Sequence, residues 1–338
     1  MRTRNTNEVC EVQSKLRKSH LFHVFIFFII GLTVVINPTY ASDNHDMKGI
    51  DKNAFCTNTS KAAFRGCQNA VRDDYWITIG ICTNESNPEV REECKEEAKL
   101  VRNEDRVLCG EQFEARQDIC EDLGEAPYDP QIDPGMFVDP AEIGKTVAPN
   151  PYFPLVRGNK WVLKGGTETI TDTVIEETKV ILGVTCATIL DVVDDDGEVI
   201  ELTKDWYAQD IYGNVWYFGE IAQDFEEGEL ISIDGSWKTG RDGDKAGIIM
   251  KAVPEVGDVY RQEFSLANAE DMGEVLSVTG TESVPAASCD GDCLVTKDFT
   301  PIEPDVFEHK YYAPGIGIIL EVDMETGERV ELVEVINH

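Results

Sequence analysis

CTNTSKAAFRGC (56–67), CTNESNPEVREEC (82–94) and CGEQFEARQDIC (109–120) place six cysteines at successive steps of 11, 15, 12, 15 and 11 residues. The series is a palindrome. Cys56 and Cys120, Cys67 and Cys109, and Cys82 and Cys94 share one midpoint at Pro88. Eleven residues of helix are close to three full turns, so Cys56 and Cys67 share a face, as do Cys109 and Cys120. Cysteines 11 apart on one helix are also roughly 16 Å apart, well beyond the limit of about 7 Å between bonded Cα atoms. Partners must therefore come from a second helix. Of the fifteen or so connectivities open to six cysteines, the nested set Cys56–Cys120, Cys67–Cys109 and Cys82–Cys94 fits two facing helices and a shared midpoint.

The residues between the cysteines agree with an antiparallel hairpin. Ala63, Phe64, Val71 and Tyr75 on the first arm, and Ala98, Val101, Leu108 and Phe113 on the second, follow the 3–4 spacing of a buried stripe. Asn87-Pro88-Glu89 reads as an N-cap, a first-turn proline and a carboxylate at the positive end of the helix dipole. Glu92, Glu93, Lys95, Glu96, Glu97 and Lys99 form a solvated face.

Disulfide rungs require an oxidising compartment, and the N-terminus offers a route to one. Arg2, Arg4, Lys15, Arg17 and Lys18 precede an apolar run over 21–36, and Thr39-Tyr40-Ala41 supplies a small-x-small cleavage site before Ser42. Residues 1–41 thus read as a signal peptide that carries Cys10 away. A secreted or periplasmic location follows, with no stable membrane insertion after cleavage. Lys+Arg then falls from 30 to 25 and Asp+Glu from 64 to 62, so the net charge moves from −34 to −37. A chain this acidic is repelled by nucleic acid, which is excluded as a partner.

Residues 52–124 form the α-hairpin, and prolines at 127, 130, 134, 140, 149, 151 and 154 make 125–157 a stiff connector. From 158 to 338 the texture is β. Thr167 to Val174 alternates, 179–190 reads as one richer strand, and Asp195-Asp196-Gly197 turns into Val199-Ile200-Glu201-Leu202. Further strands are expected at 204–209, 215–219, 229–237, 258–264, 274–279, 293–299, 308–313, 316–322 and 329–336. The fold class is α+β: a disulfide-laddered helical hairpin followed by a curved antiparallel sheet or half-barrel.

Several blocks of this half resemble bacterial secreted proteins. They are Leu123-Gly124-Glu125-Ala126-Pro127-Tyr128-Asp129-Pro130, Asn150-Pro151-Tyr152-Phe153-Pro154-Leu155 with Gly158 and Trp161-Val162, Asp205 to Asp210, and Gly213 to Glu220. The block from His309 to Gly317 also resembles the closing motif of TapB-like domains of unknown function. The resemblance covers about residues 120–335. It implies a curved antiparallel sheet related to periplasmic lipoprotein-carrier half-barrels, and it brings no catalytic set. It also suggests that Cys186 and Cys293 meet across strands, leaving Cys289 odd. A local Cys289–Cys293 ring, eased by Gly291, is the competing closure.

No catalytic residue, cofactor motif or metal set is assigned. His309 sits within a predicted strand, while His45 and His338 lie near the ends of the chain left by cleavage. Carboxylate pairs cannot be told from background in so acidic a chain. Asp194, Asp196 and Glu198 are weak calcium candidates. An EF-hand register around Gly197 would put Val192 where an aspartate is required. The aromatic residues Trp206, Tyr207, Tyr212, Trp216 and Tyr217, gathered on one predicted hairpin, are the ligand-binding candidates; period-2 geometry sends neighbours to opposite faces. A non-catalytic module whose sheet binds an apolar ligand, lipid or polypeptide is the leading expectation. A structural or adhesive component, calcium-assisted, is the second, and an acid-residue hydrolase the third.

Overall fold

The computed structural model describes residues 52–338; the expected leader, Cys10 and His45 lie outside the described residues. Helices α1 (Phe55–Thr83) and α2 (Pro88–Leu123) form the hairpin. The Asn87 side chain accepts from the Glu89 N–H at 3.0 Å with Pro88 in the first turn, and Gly124 ends α2 at φ 82°. All three rungs form as the palindrome requires, with Cα separations of 5.6, 5.8 and 5.6 Å from Cys56–Cys120 to Cys82–Cys94. Ala63, Val71 and Ala98 are buried between the arms, and the rings of Phe64 and Phe113 meet at 5.3 Å. Leu108 departs from the predicted stripe and is 40% exposed. Among the described residues no helix is long and apolar enough to cross a membrane.

Two helices bury little by themselves, so the hairpin depends on its cross-links. Replacing Cys56 and Cys120 by Ser should lower the stability of the helical signal by about 3 kcal/mol, because the loop they close still spans about two dozen residues when Cys67–Cys109 is intact. Urea unfolding followed by far-UV circular dichroism measures this. An unchanged midpoint would mean that docking alone holds the arms.

Fifteen strands follow. The first five, β1 (Lys160–Gly165), β2 (Glu168–Ile181), β3 (Val184–Asp195), β4 (Glu198–Gln209) and β5 (Val215–Glu226), are consecutive antiparallel hairpins. The short strands β6 (Glu229–Ser232), β7 (Trp237–Lys238) and β8 (Lys245–Met250) pair in turn along the other edge of β5. Next come β9 (Val259–Arg261) and β10 (Glu263–Phe264). The run ends with β11 (Met272–Val284), β12 (Ala287–Phe299), β13 (Phe307–Ala313), β14 (Gly317–Asp323) and β15 (Arg329–Ile336), the last of which pairs with β1. The bent segment 259–264 joins the two ends of the sheet: β9 pairs with β11 and β10 with β8. The result is a nearly closed antiparallel barrel, with Leu163, Ile170, Ile189, Val330 and Leu332 in its core.

Two expectations change. The predicted strand over 179–190 is instead two strands with a turn at Leu182-Gly183, where φ is 48° and 86°. The positive φ at Gly183 is easy for glycine, and the Leu182 side chain lies against Gly240, where a Cβ would collide with it. The Cys186–Cys293 bond does not form. The bond is Cys289–Cys293, and Cys186 is a buried free thiol. The reason is sheet order, which puts β2, β1, β15, β14 and β13 between β3 and β12. Cys186 also points outward into a cluster with Ile181, Val184, Trp206 and Phe218, while Cys293 belongs to the main core. Burial pushes the Cys186 thiol up to about 12, which leaves it inert.

The connector packs on that outer cluster. Val138 N donates to Gln209 O, Ile211 N donates to Met136 O, and the Tyr128 hydroxyl donates to Ala246 O. Phe137 sets its ring edge-on against Trp216 and Phe218.

Candidate functional site

Period 2 decides what the barrel interior contains. On β3, Ala187, Ile189, Asp191 and Val193 share one parity and point inward; on β4, Asp205 and Tyr207 do the same. Ile189, Asp191, Asp205 and Tyr207, with residues of β1, β2, β5, β8, β10 and β12–β14, line a partly open cavity of about 230 Å³. One part of the wall is apolar, with Trp161, Leu163, Ile170, Ile189 and Ile318. Tyr152 and Phe153 of the connector complete it.

The other part of the wall is acidic, and the ladder places its carboxylates opposite one another. Asp172 faces Asp191 across β2 and β3, Asp205 faces Glu220 across β4 and β5, and Asp298 faces Glu308 across β12 and β13. Directly opposed like charges repel, and the effect grows in a dry interior. The third pair shares Lys310, whose Nζ lies 3.8 Å from Asp298, 3.6 Å from Glu308 and 3.6 Å from Glu321. Burial opposes the lysine charge, but these three carboxylates hold its pKa well above the ordinary value. Between Asp205 and Glu220 stands the Tyr217 hydroxyl, 2.6 Å from one carboxyl and 2.8 Å from the other. A phenol has one proton to donate, so it can donate to one of the two, and the other contact requires a proton on that carboxyl group.

Glu263, on β10, is 2% exposed and also lines the cavity. Its pKa is raised well above the usual carboxylate range by burial first, then by Asp271 and Glu220; the nearby Trp237 indole pulls the other way. That indole does not complete a proper hydrogen bond, and both Glu263 Oε1 and Trp237 Nε1 are without a partner. Burial likewise raises Asp271, with Lys310 opposing, and pushes Glu303 up to about 7.

These shifts have a sign. Glu263, Asp271 and Glu303 keep their protons in the folded protein at a pH where the unfolded chain has released them. Their contribution to stability is therefore full below the unfolded pKa of about 4.5 and is lost as pH rises through the folded values. Asp129, held low by its hydrogen bond from Lys245, loses its contribution only below its ordinary value of 3.8. Between pH 7.5 and 5.0 the melting temperature should therefore rise on acidification, on the order of a few degrees. Differential scanning calorimetry at the two values measures it; a lower Tm at pH 5.0 would contradict these burials.

The five aromatic candidates divide. Tyr207 and Tyr217 stack at 4.5 Å inside the barrel and line the cavity. Trp206 and Trp216 lie on the outer face, where Trp216 Nε1 donates to Asp210 Oδ2 at 3.0 Å. Tyr212, at the tip of the turn organised by Asp210, is 70% exposed. Asp194, Asp196 and Glu198 occupy the β3–β4 turn, where Asp194 Oδ1 accepts from the Gly197 N–H at 3.0 Å. Among the described residues no group of three or more His, Cys, Asp or Glu is arranged to hold a metal ion. His309 is on β13 beside Phe307, its pKa lowered by burial and then by Lys297. The carboxylates of the wall, with Lys310, are what the sequence reading passed over.

A scan against family models, a search of curated proteins and a search of solved structures find nothing that matches this chain.

Proposed function

We propose that the protein is a non-catalytic binding module, secreted or periplasmic, that holds a small molecule inside its β-barrel. The observation that carries this is the partly open cavity, apolar on one part of its wall and acidic on the other. At about 230 Å³ it falls below the range of roughly 300–1,000 Å³ typical of drug-sized ligands. A single ring or short chain suits that space, and a two-chain lipid does not. Addition of a polypeptide strand needs a free sheet edge, and the segment 259–264 covers only the first three residues of β11 and two of β8. Four disulfides support an oxidising compartment, as the leader-like N-terminus does. Kinship with TapB-like domains is part of the same proposal and rests on the sequence blocks alone.

Native mass spectrometry of the protein purified from its host tests the reading. The expected result is a non-covalent small-molecule adduct that is lost on denaturation. A bare mass, together with no binding of any small amphiphile by calorimetry, would overturn it.

A further inference from the structure

We propose that the occupant of the barrel is an organic cation, a small amine carried on an apolar body, with its ammonium group beside Glu263. This rests on the barrel being a ligand-binding module, and goes further by naming the ligand class.

Charge is the first argument. Ten carboxylates line the cavity, and among the described residues Lys310 is the one cationic side chain in that lining. Fatty acids, phosphates and other anions meet a repulsive interior, whereas a cation is drawn in. Lys310 is already engaged by Asp298, Glu308 and Glu321. The opposed pairs Asp172/Asp191 and Asp205/Glu220 lie on other strands of the same wall.

Glu263 supplies the independent argument. Its side chain is almost fully buried, lines the cavity, and leaves Oε1 without a hydrogen-bond partner. A buried carboxyl oxygen in that condition is costly. An ammonium N–H from the cavity would satisfy it and offset the repulsion that an ionised Glu263 would meet from Asp271 and Glu220. The cation is organic rather than a metal ion because no group of three or more ligating side chains among the described residues is arranged for a metal.

The rest of the wall fits an amine with an apolar body. Tyr207 and Tyr217 present stacked rings, and aromatic faces attract ammonium groups. Leu163, Ile170 and Ile189 supply the apolar side.

Isothermal titration calorimetry of the disulfide-intact protein at pH 7.5 provides the test, with two matched series as probes. One is 2-phenylethylamine, 2-phenylethanol and 3-phenylpropanoate; the other is hexylamine, hexanol and hexanoate. The amines should bind at least about tenfold more tightly than the alcohols, and the carboxylates should not bind. Amine binding should release protons, seen as a heat that varies with the ionisation enthalpy of the buffer, because Glu263 gives up its proton to the solvent when the ammonium arrives. Glu263→Gln should weaken the amine on the order of thirtyfold and leave the alcohol unchanged. Glu220→Gln is the second variant, read in the same way if Glu263→Gln does not fold. Equal binding of amine and alcohol, or preference for the carboxylate, would overturn the cation assignment and leave the barrel a binding module. No binding in either series would overturn both.

Discussion

The Arg116→Met protein should be less stable by about 3–5 kcal/mol, the usual cost of removing one partner from a buried ion pair. Arg116 on α2 is 5% exposed and Glu270, between β10 and β11, is 1% exposed. The guanidinium grips the carboxylate with Nε at 3.1 and 3.0 Å and Nη2 at 2.6 Å, and the Ala267 N–H adds a bond of 2.7 Å to Oε1. Without the arginine, Glu270 loses its direct ion pair and keeps one backbone donor and the more distant charge of Arg261. Urea unfolding, read separately by the helical signal and by tryptophan emission, measures the loss, since a protein of two parts need not unfold in one step. The double variant Arg116→Met, Glu270→Leu should recover part of it, because the buried carboxylate is gone, although Arg261 loses a neighbouring counter-charge. Costs that simply add in the double variant would show that the two residues act independently.

The same contact ties the hairpin to the barrel. Here the Gln112 amide of α2 also donates to Ile302 O at 2.8 Å. The open end of the ladder is seated on the β-domain.

What was legible in the sequence follows from the range of the interactions involved. The ladder could be read because helix pitch and disulfide reach together leave one pairing, and both are local geometry. The hairpins of the barrel could be read from alternation and turn residues, again within a few positions. The Leu182-Gly183 turn is hidden because Val180-Ile181-Leu182-Gly183-Val184 keeps an apolar texture through it, and what permits it is Gly240, far away in sequence. The choice of the local Cys289–Cys293 ring over Cys186–Cys293 turns on strand order, which alternation does not encode. The cavity lay between these cases. Asp191 shares parity with Ile189 and Val193, and a carboxylate at an inward position between two core residues is a signal that can be found strand by strand. It was masked by 64 acidic residues, most of which have no such parity constraint.

Lys310→Met should cost a similar amount, about 3–5 kcal/mol near neutral pH, and its pH dependence separates charge from packing. Methionine fills much of the space of the lysine stem, so the apolar contacts largely survive. What disappears is the ammonium between Asp298, Glu308 and Glu321, three carboxylates that are each at most 15% exposed. With no cation among them they resist ionising in the folded state, while in the unfolded chain they ionise freely. The penalty is therefore present above the unfolded carboxylate range and shrinks as pH falls through about 4, where the unfolded chain takes up protons as well. Unfolding free energies of the wild type and variant at pH 7.5 and 4.5 should converge at the lower value. A gap that stays constant would assign the loss to packing, and Lys310 would then be a filler rather than the counter-ion around which this side of the barrel folds.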